Sequence, residues 1–448
     1  MSATHNFNAS DYDDALLRLL DLAVNNNAIA VAVNAGGTGY TVGDILTVSG
    51  GTVVSSLILT LEVTSVAAGV IDGIRIFDCG AYSVNPGNPV AVTGGTGADD
   101  ATFDITFETE NWAINRNVAS SSSAIDNIAA ASGSSGTQVI EREVQLQGPG
   151  FAGADEIFIG ILEVRDTDAA VFNWQLFGFT GFNTILDLID QPGFSFVEPN
   201  EIASFVPLSN GAIECWFHIT PRVLSGVMRI GSTYESFYLG FLNPFATPTE
   251  FPYPLYIAGS SSRWNESFAS SGPTQCGLAD PGAWTGTSGN TRGPGGLRFF
   301  DGSWQYIQNW SFAGSSRFQN NDRMVYPAGD LPPQATEIAP ADQFVQNDSD
   351  RRWNAIIPAT GNPGSPTVTL RETEDSGGDI TQLIPTIVHF SQPSLQILGE
   401  LDSVFWGSTA GNNIVSEDRV IIGGLFYRAF QSANRTDQFA FQFLREDA

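Results

Sequence analysis

Leu57–Val66 reads LILTLEVTSV, and Ile71–Phe77, beyond a short Ala-Ala-Gly-Val interval, reads IDGIRIF. In both runs apolar side chains tend to fall on alternate positions, and β-branched residues are frequent. A period of two marks a strand that turns one face to a core. Similar strand-length runs flank the pair: AIAVAV from Ala28, DILTVSG from Asp44 and ATFDITF from Ala101. Between them lie the turn-rich NAGGTGYTVGD and AVTGGTGADD, each containing GGTG. Residues 28–110 therefore read as a small all-β module with few charges.

The rest of the chain shares this texture. Hydrophobic residues make up 42% of its 448 positions and charged ones only 15%, with 47 Gly and 31 Phe. That balance suits short strands joined by tight turns, whereas long surface helices need more Glu, Lys and Arg. The fold is predicted to be mainly β, with antiparallel sandwich or barrel-like domains, one short N-terminal helix and long loops. Such a length accommodates two to four domains.

The helix is predicted just after Ser10, which can cap it. Asp11, Asp13 and Asp14 suit its positive first turn, and Tyr12, Leu16, Leu19, Leu20 and Ala23 share one face. It ends by Asn25–Asn27 and docks either on its own chain or on a neighbouring subunit. Residues 1–27 go with the large half, and 28–110 form an insertion. Residues 111–137, rich in Ser, Ala and Gly, read as a linker. Residues 138–448 form the large β-rich domain, in one or two subdomains. Its middle, 259–350, is loop-rich, and SSGPTQCGLADPGAWTGTSGNTRGPGG within it has no regular pattern. A loop of that length is usually functional or disordered.

Charge excludes several functions. The formal net charge is −29, and all 19 basic residues are Arg. Without Lys, GGTG is no phosphate loop and no Schiff base can form. Phosphate neutralisation needs clustered cations, so nucleic acid is not an expected partner. No run of 18 apolar residues or signal-like start is present, and no membrane partner is expected. Cys79, Cys215 and Cys276 are sparse and odd in number, which suits thiols buried in a reducing compartment.

No motif carries catalysis. His5, His218 and His389 are far apart and read as core or strand-face residues, and no zinc spacing or G-x-S-x-G elbow occurs. A glycosidase would need two opposed carboxyls. Asp155, Glu156, Asp348, Asp350, Glu372, Glu374 and Asp375 are candidates only because the chain is acidic throughout. No enzymatic activity and no cofactor are expected. Calcium is the minor alternative, at Asp99–Asp100 or in DSGGD at Asp375–Asp379.

Two resemblances give these readings a setting. NAGGTGYTVGDILTVSGGT from Asn34, VTSVAAGVIDGIRIFDCGAYSVNP from Val63 and TGGTGADDATFDITF from Thr93 resemble a β module that recurs in tailed-bacteriophage virion proteins. Its Gly36, Gly37 and Gly39 permit positive φ before Tyr40 anchors the strand, and Gly80, Tyr82 and Pro86 repeat that arrangement. REVQLQGPGFAGADEIFIGI from Arg142, VMRIGSTYESFYLGFLNPFATPTEFPYPLYIAGSSSRW from Val227 and LFYRAFQSANRTDQFAFQFL from Leu425 look like a family of uncharacterised phage structural proteins. The resemblance implies a non-enzymatic virion component made in the host bacterial cytoplasm. Tail, baseplate or fibre attachment is its expected place, and its partners are its own copies and other virion proteins. A receptor-binding or glycan-degrading tail-tip protein and a capsid decoration protein are the alternatives.

The contact surface is expected at residues 234–262. Pro252 and Pro254 remove two backbone donors, which makes FPYPLYIAGSSS an edge or an extended arm. Phe251, Tyr253 and Tyr256 on the arm, and Tyr234, Phe237 and Tyr238 before it, would supply stiff contact area. Arg351, Arg352 and Trp353 join the expected interface, because Arg and Trp are enriched at hot spots.

Overall fold

A computed structural model of the chain describes residues 4–120, 138–151, 156–166, 171–195, 204–259, 292–298, 300, 302, 304–308, 323–327, 383–390, 396–407, 414–431 and 441–446. The fold is mainly β, built of antiparallel sheets, with one α-helix among the described residues.

The body has three layers. Its middle sheet runs in the order Thr4–Ala9, Ile213–Ile219, Val223–Ile230, Thr233–Phe241, Leu255–Ala258, Arg292–Arg298, Trp304–Gln308. One face packs on a five-stranded sheet, Ala113–Ala119, Gln138–Gly148, Ile157–Asp166, Phe172–Phe179 and Ser204–Leu208, together with the helix Tyr12–Val24. The other face packs on a third sheet that contains Ile384–Phe390, Gln396–Gly407, Phe441–Arg445, Leu425–Gln431 and Arg419–Ile422.

Strand Ile213–Ile219 shows why the middle layer reads as it does. Ile213, Cys215, Phe217 and Ile219 enter the core beside the helix. Trp216, of opposite parity, meets Phe430 of the third sheet with ring centroids 5.0 Å apart. A strand covered on both faces loses its alternation and becomes apolar nearly throughout. Each large side chain buried this way contributes about 2 kcal/mol.

The helix carries the predicted face. Tyr12, Leu16, Leu19, Leu20 and Ala23 are buried with Ala15 and Leu22 in the core of their own chain, against Trp174 and Phe217 among others. Its cap differs by one residue from the expected Ser10. The Asp11 carboxylate accepts from Asp14 N at 2.9 Å, while Ser10 N donates to Asp14 Oδ2 at 2.8 Å. A carboxylate at the positive end gains from the helix dipole as well as the hydrogen bond, so Asp11 outcompetes the hydroxyl. Asp11→Ala is expected to lower stability by about 1 kcal/mol in urea unfolding, with Ser10→Ala costing distinctly less.

Residues 28–107 form a separate, nearly closed barrel-like sheet with its own core around Tyr40, Leu61 and Phe103. Strand order is Ala28–Ala35, Thr102–Phe107, Val90–Thr93, Ile45–Val48, Thr60–Ala67, Val70–Asp78. First and last strands meet at both ends: Ala28 N donates to Cys79 O and Ile71 N to Gly36 O, each at 3.0 Å. Gly36 is required at this seam because a Cβ there would lie 2.3 Å from Ile71 O. Its φ is not positive, unlike those of Gly37 and Gly39.

Two expectations about loops need correction. Within the supposed linker at 111–137, Ala113–Ala119 is an edge strand paired with Gln138–Gly148, and Trp112 is buried. Its Asn115, Arg116 and Asn117 suit an edge, where one side of the ladder faces water. In the loop-rich middle, Arg292–Arg298 is a strand, with a register shift between Arg292 and Gly296. That irregularity lets a Gly-Pro-Gly sequence enter a sheet without a full ladder.

Module and body meet through charge and ring faces. Arg75 pairs with Glu62, Arg419 lies 3.2 Å from Glu62 and 2.6 Å from Glu446, and Arg75 sits 4.0 Å over the Phe426 ring. No helix among the described residues is long and apolar enough to cross a membrane.

Candidate functional site

Most of the expected interface residues belong to the chain's own core. Phe237 and Tyr238 are 0% exposed, Phe251 is 2% and Tyr256 is 3%. Tyr238 and Tyr256 face each other at 5.6 Å, and Phe237 packs on Trp174 and Phe217. Tyr253 is half-buried, with its hydroxyl donating to Phe179 O at 2.8 Å. Tyr234, also half-buried, donates to Glu417 Oε1 at 2.7 Å. The arm is not an edge either: Leu255–Ala258 has a strand on each side. Pro252 and Pro254 precede that strand and cost it no ladder bond. Arg351, Arg352, Trp353, Asp348, Asp350, Glu372, Glu374 and Asp375–Asp379 lie outside the described residues, as does Asp155; Glu156 is exposed.

The GGTG turns are locked by the acids considered for calcium. Asp100 accepts from Thr38 N at 2.8 Å and from its hydroxyl at 2.9 Å, and Asp99 accepts from Gly94 N at 2.9 Å. Asp44 binds Thr96 of the second turn in the same way. Its slight burial would raise the carboxyl, but donors from Thr41 and Thr96 hold it down to about 2. No group of three His, Cys, Asp or Glu suited to a metal occurs among the described residues.

One alignment resembles catalytic machinery. His5 Nε2 lies 2.9 Å from Cys79 Sγ, and His5 Nδ1 lies 3.2 Å from Asp78 Oδ1. Thiol, imidazole and carboxylate stand in the order of nucleophile, base and orienting group. Both Cys79 and His5 are 0% exposed, however, so no external substrate reaches the sulfur. The contacts tie the first strand to the module. Sequence reading could not find them, because Cys79 is 74 residues from His5.

The open candidate is a cleft of about 640 Å³ where the module's exit, the middle sheet and the third sheet converge. His218 forms its floor, set there by strand alternation on the same face as Trp216. The Thr220–Arg222 turn shapes one wall: Thr220 Oγ1 accepts from Val223 N at 3.0 Å, and Trp112 Nε1 donates to Thr220 O at 2.7 Å. Arg222 lies 5.1 Å over the Phe151 ring and 3.7 Å from Asp402. The opposite wall is strand Gln396–Gly407, which supplies Glu400, Asp402, Ser403 and Phe405. Asp402 N donates to Tyr238 Oη at 3.1 Å, so the buried tyrosine fixes this wall. Glu108 and Glu110 from the module's exit complete the rim.

Electrostatics in the cleft are mixed. Burial, with the nearby Asp402 carboxylate, pushes Glu400 above the usual carboxylate range. His218 is 2% exposed, and burial lowers it to about 4 against the pull of Asp402. It is therefore a neutral imidazole at pH 7, and neither ring nitrogen has a hydrogen-bond partner among the described residues. Sequence reading treated His218 as a strand-face residue, which it is; only the third sheet makes that face a cleft. No protein-family model matches the chain, and no curated protein matches it.

Proposed function

We propose that the chain is a non-enzymatic structural component of a tailed-phage virion, at the tail, the baseplate or a fibre attachment. The observation that carries this reading is a union of two separately cored parts. A separately cored module is clamped to a three-layer β body by the Arg75, Glu62, Arg419 and Glu446 network and by the His5–Asp78 contact. Such a unit holds a fixed angle between its two ends, as a connector in a particle must. The two resemblances read from the sequence supply the setting, and the strongly acidic composition keeps free copies apart until assembly.

Contacts between copies then fall away from the aromatic arm. The edge strand Ala113–Ala119 exposes Ile114 at 41% and Val118 at 44%, and Arg419–Ile422 exposes Ile421 at 60%. An unpaired strand bearing apolar side chains is a template for another chain. A quantitative copy count on purified particles tests the reading. About a dozen copies or fewer per particle is the expected result, by analogy with the closed symmetry of ring-like assemblies. Hundreds of copies would point to head decoration or a tube, and absence from the particle would overturn the proposal. Receptor binding at a tail tip is the second reading, and the cleft around His218 favours it.

A further inference from the structure

The cleft floor poses a physical problem. A neutral imidazole only 2% exposed, with neither ring nitrogen hydrogen-bonded among the described residues, forfeits one donor and one acceptor. Leaving such groups unsatisfied is costly, and unpartnered polar groups in native proteins call for an explanation. His218 is not alone here. Trp216 Nε1 on the same strand, Ser225 Oγ on its neighbour in the sheet and Thr386 Oγ1 on the third sheet are also buried without partners among the described residues. The stretch between the middle and third sheets therefore holds unused hydrogen-bonding capacity behind the floor of a cleft whose size suits a small-molecule site.

The walls narrow the chemistry. A cation would be drawn to Glu108, Glu110, Glu400 and Asp402 but would meet Arg222 and Arg445 in the same space. An anion meets the converse difficulty with four carboxyls. An apolar ligand would strip water from all of them without replacing a hydrogen bond. A hydroxyl group fits each demand, because it donates to a carboxylate and accepts from a guanidinium. A neutral imidazole has the same double character. Phe151, Phe405 and Pro385 supply apolar surface beside these groups, as the carbon face of a pyranose requires.

We infer that the cleft floored by His218 and walled by Arg222, Glu400 and Asp402 binds a neutral, hydroxyl-rich ligand, a saccharide. This inference stands apart from the virion reading, since the site follows from the cleft alone.

The 448-residue chain carries three histidines, so labelling histidine with ¹³C at Cε1 yields three NMR signals, assigned with His5→Gln and His389→Gln. Maltotriose, cellotriose and triacetylchitotriose are titrated in turn, with spermidine and tripolyphosphate as charged controls. At least one trisaccharide is expected to move the His218 signal saturably and leave the His5 signal in place. Glu400→Gln keeps the wall's shape and is expected to weaken that binding at least fivefold, with unshifted His5 and His389 signals reporting an intact fold. Movement with spermidine or tripolyphosphate but with no trisaccharide would overturn the inference. So would saccharide binding that leaves His218 unmoved, or a His218 signal that no probe shifts.

Discussion

Tyr238→Ala is expected to lower the unfolding free energy of the isolated chain by about 3–5 kcal/mol, independent of protein concentration. The side chain is 0% exposed, packs on Tyr256 and bridges two sheets: its hydroxyl donates to Phe241 O at 2.9 Å and accepts from Asp402 N at 3.1 Å. Truncation leaves a cavity and two orphaned backbone groups. Tyr238→Phe retains the volume and isolates the second term, at about 1–3 kcal/mol. Urea unfolding of dilute protein measures both. Were Tyr238 an intersubunit contact instead, the dilute chain would lose little and the loss would appear only in assembly.

Glu163→Gln is expected to stabilise the chain, increasingly so as pH rises. Glu163 is 0% exposed on strand Ile157–Asp166, with Arg142 at 3.4 Å and Asp13 on the helix above. Burial, then the Asp13 carboxylate, push it up to about 9, against the pull of Arg142. The sign follows from proton counts. An unfolded Glu ionises near 4.5, so between there and about 9 the folded state holds the extra proton. Stability from this group is complete below the lower value and falls as pH climbs through the window. Gln cannot ionise and escapes that loss. Each pH unit should widen the variant's advantage by about 1.4 kcal/mol. Measuring above about pH 7.5 avoids His218, because an unfolded imidazole ionises near 6.5 and the folded one near 4. Parallel stability curves for the two proteins would refute the assignment.

Neither Tyr238 nor Glu163 announced its setting in the sequence, whereas the helix did. The helix face of Tyr12, Leu16, Leu19, Leu20 and Ala23 lies in the core because a 3.6-residue period leaves the chain one way to bury it. Glu163 gave no such signal. In the sequence it is one carboxylate among 48 acidic residues, and only the pairing of its strand beneath the helix desolvates it.

Aromatic density misled for a related reason. Tyr234, Phe237, Tyr238, Phe251, Tyr253 and Tyr256 advertise surface to be covered, but hydrophobicity has no direction and does not say by what. The five-stranded sheet covers Phe237 and Tyr253, and the third sheet covers the other four with strands more than 120 positions beyond Ala258 in the case of Ile384–Phe390 and Gln396–Gly407. The same distance hid the cleft: His218 and Asp402 are 184 residues apart along the chain.

Composition and local period were enough to determine the β class, the antiparallel style and the helix, because each depends on neighbours within a turn or a hairpin. Which faces are doubly covered, which acids lose their water and where a histidine is left without a partner depended on sheets packing across the whole chain. Those are properties of desolvation, and desolvation is decided by what arrives from far away.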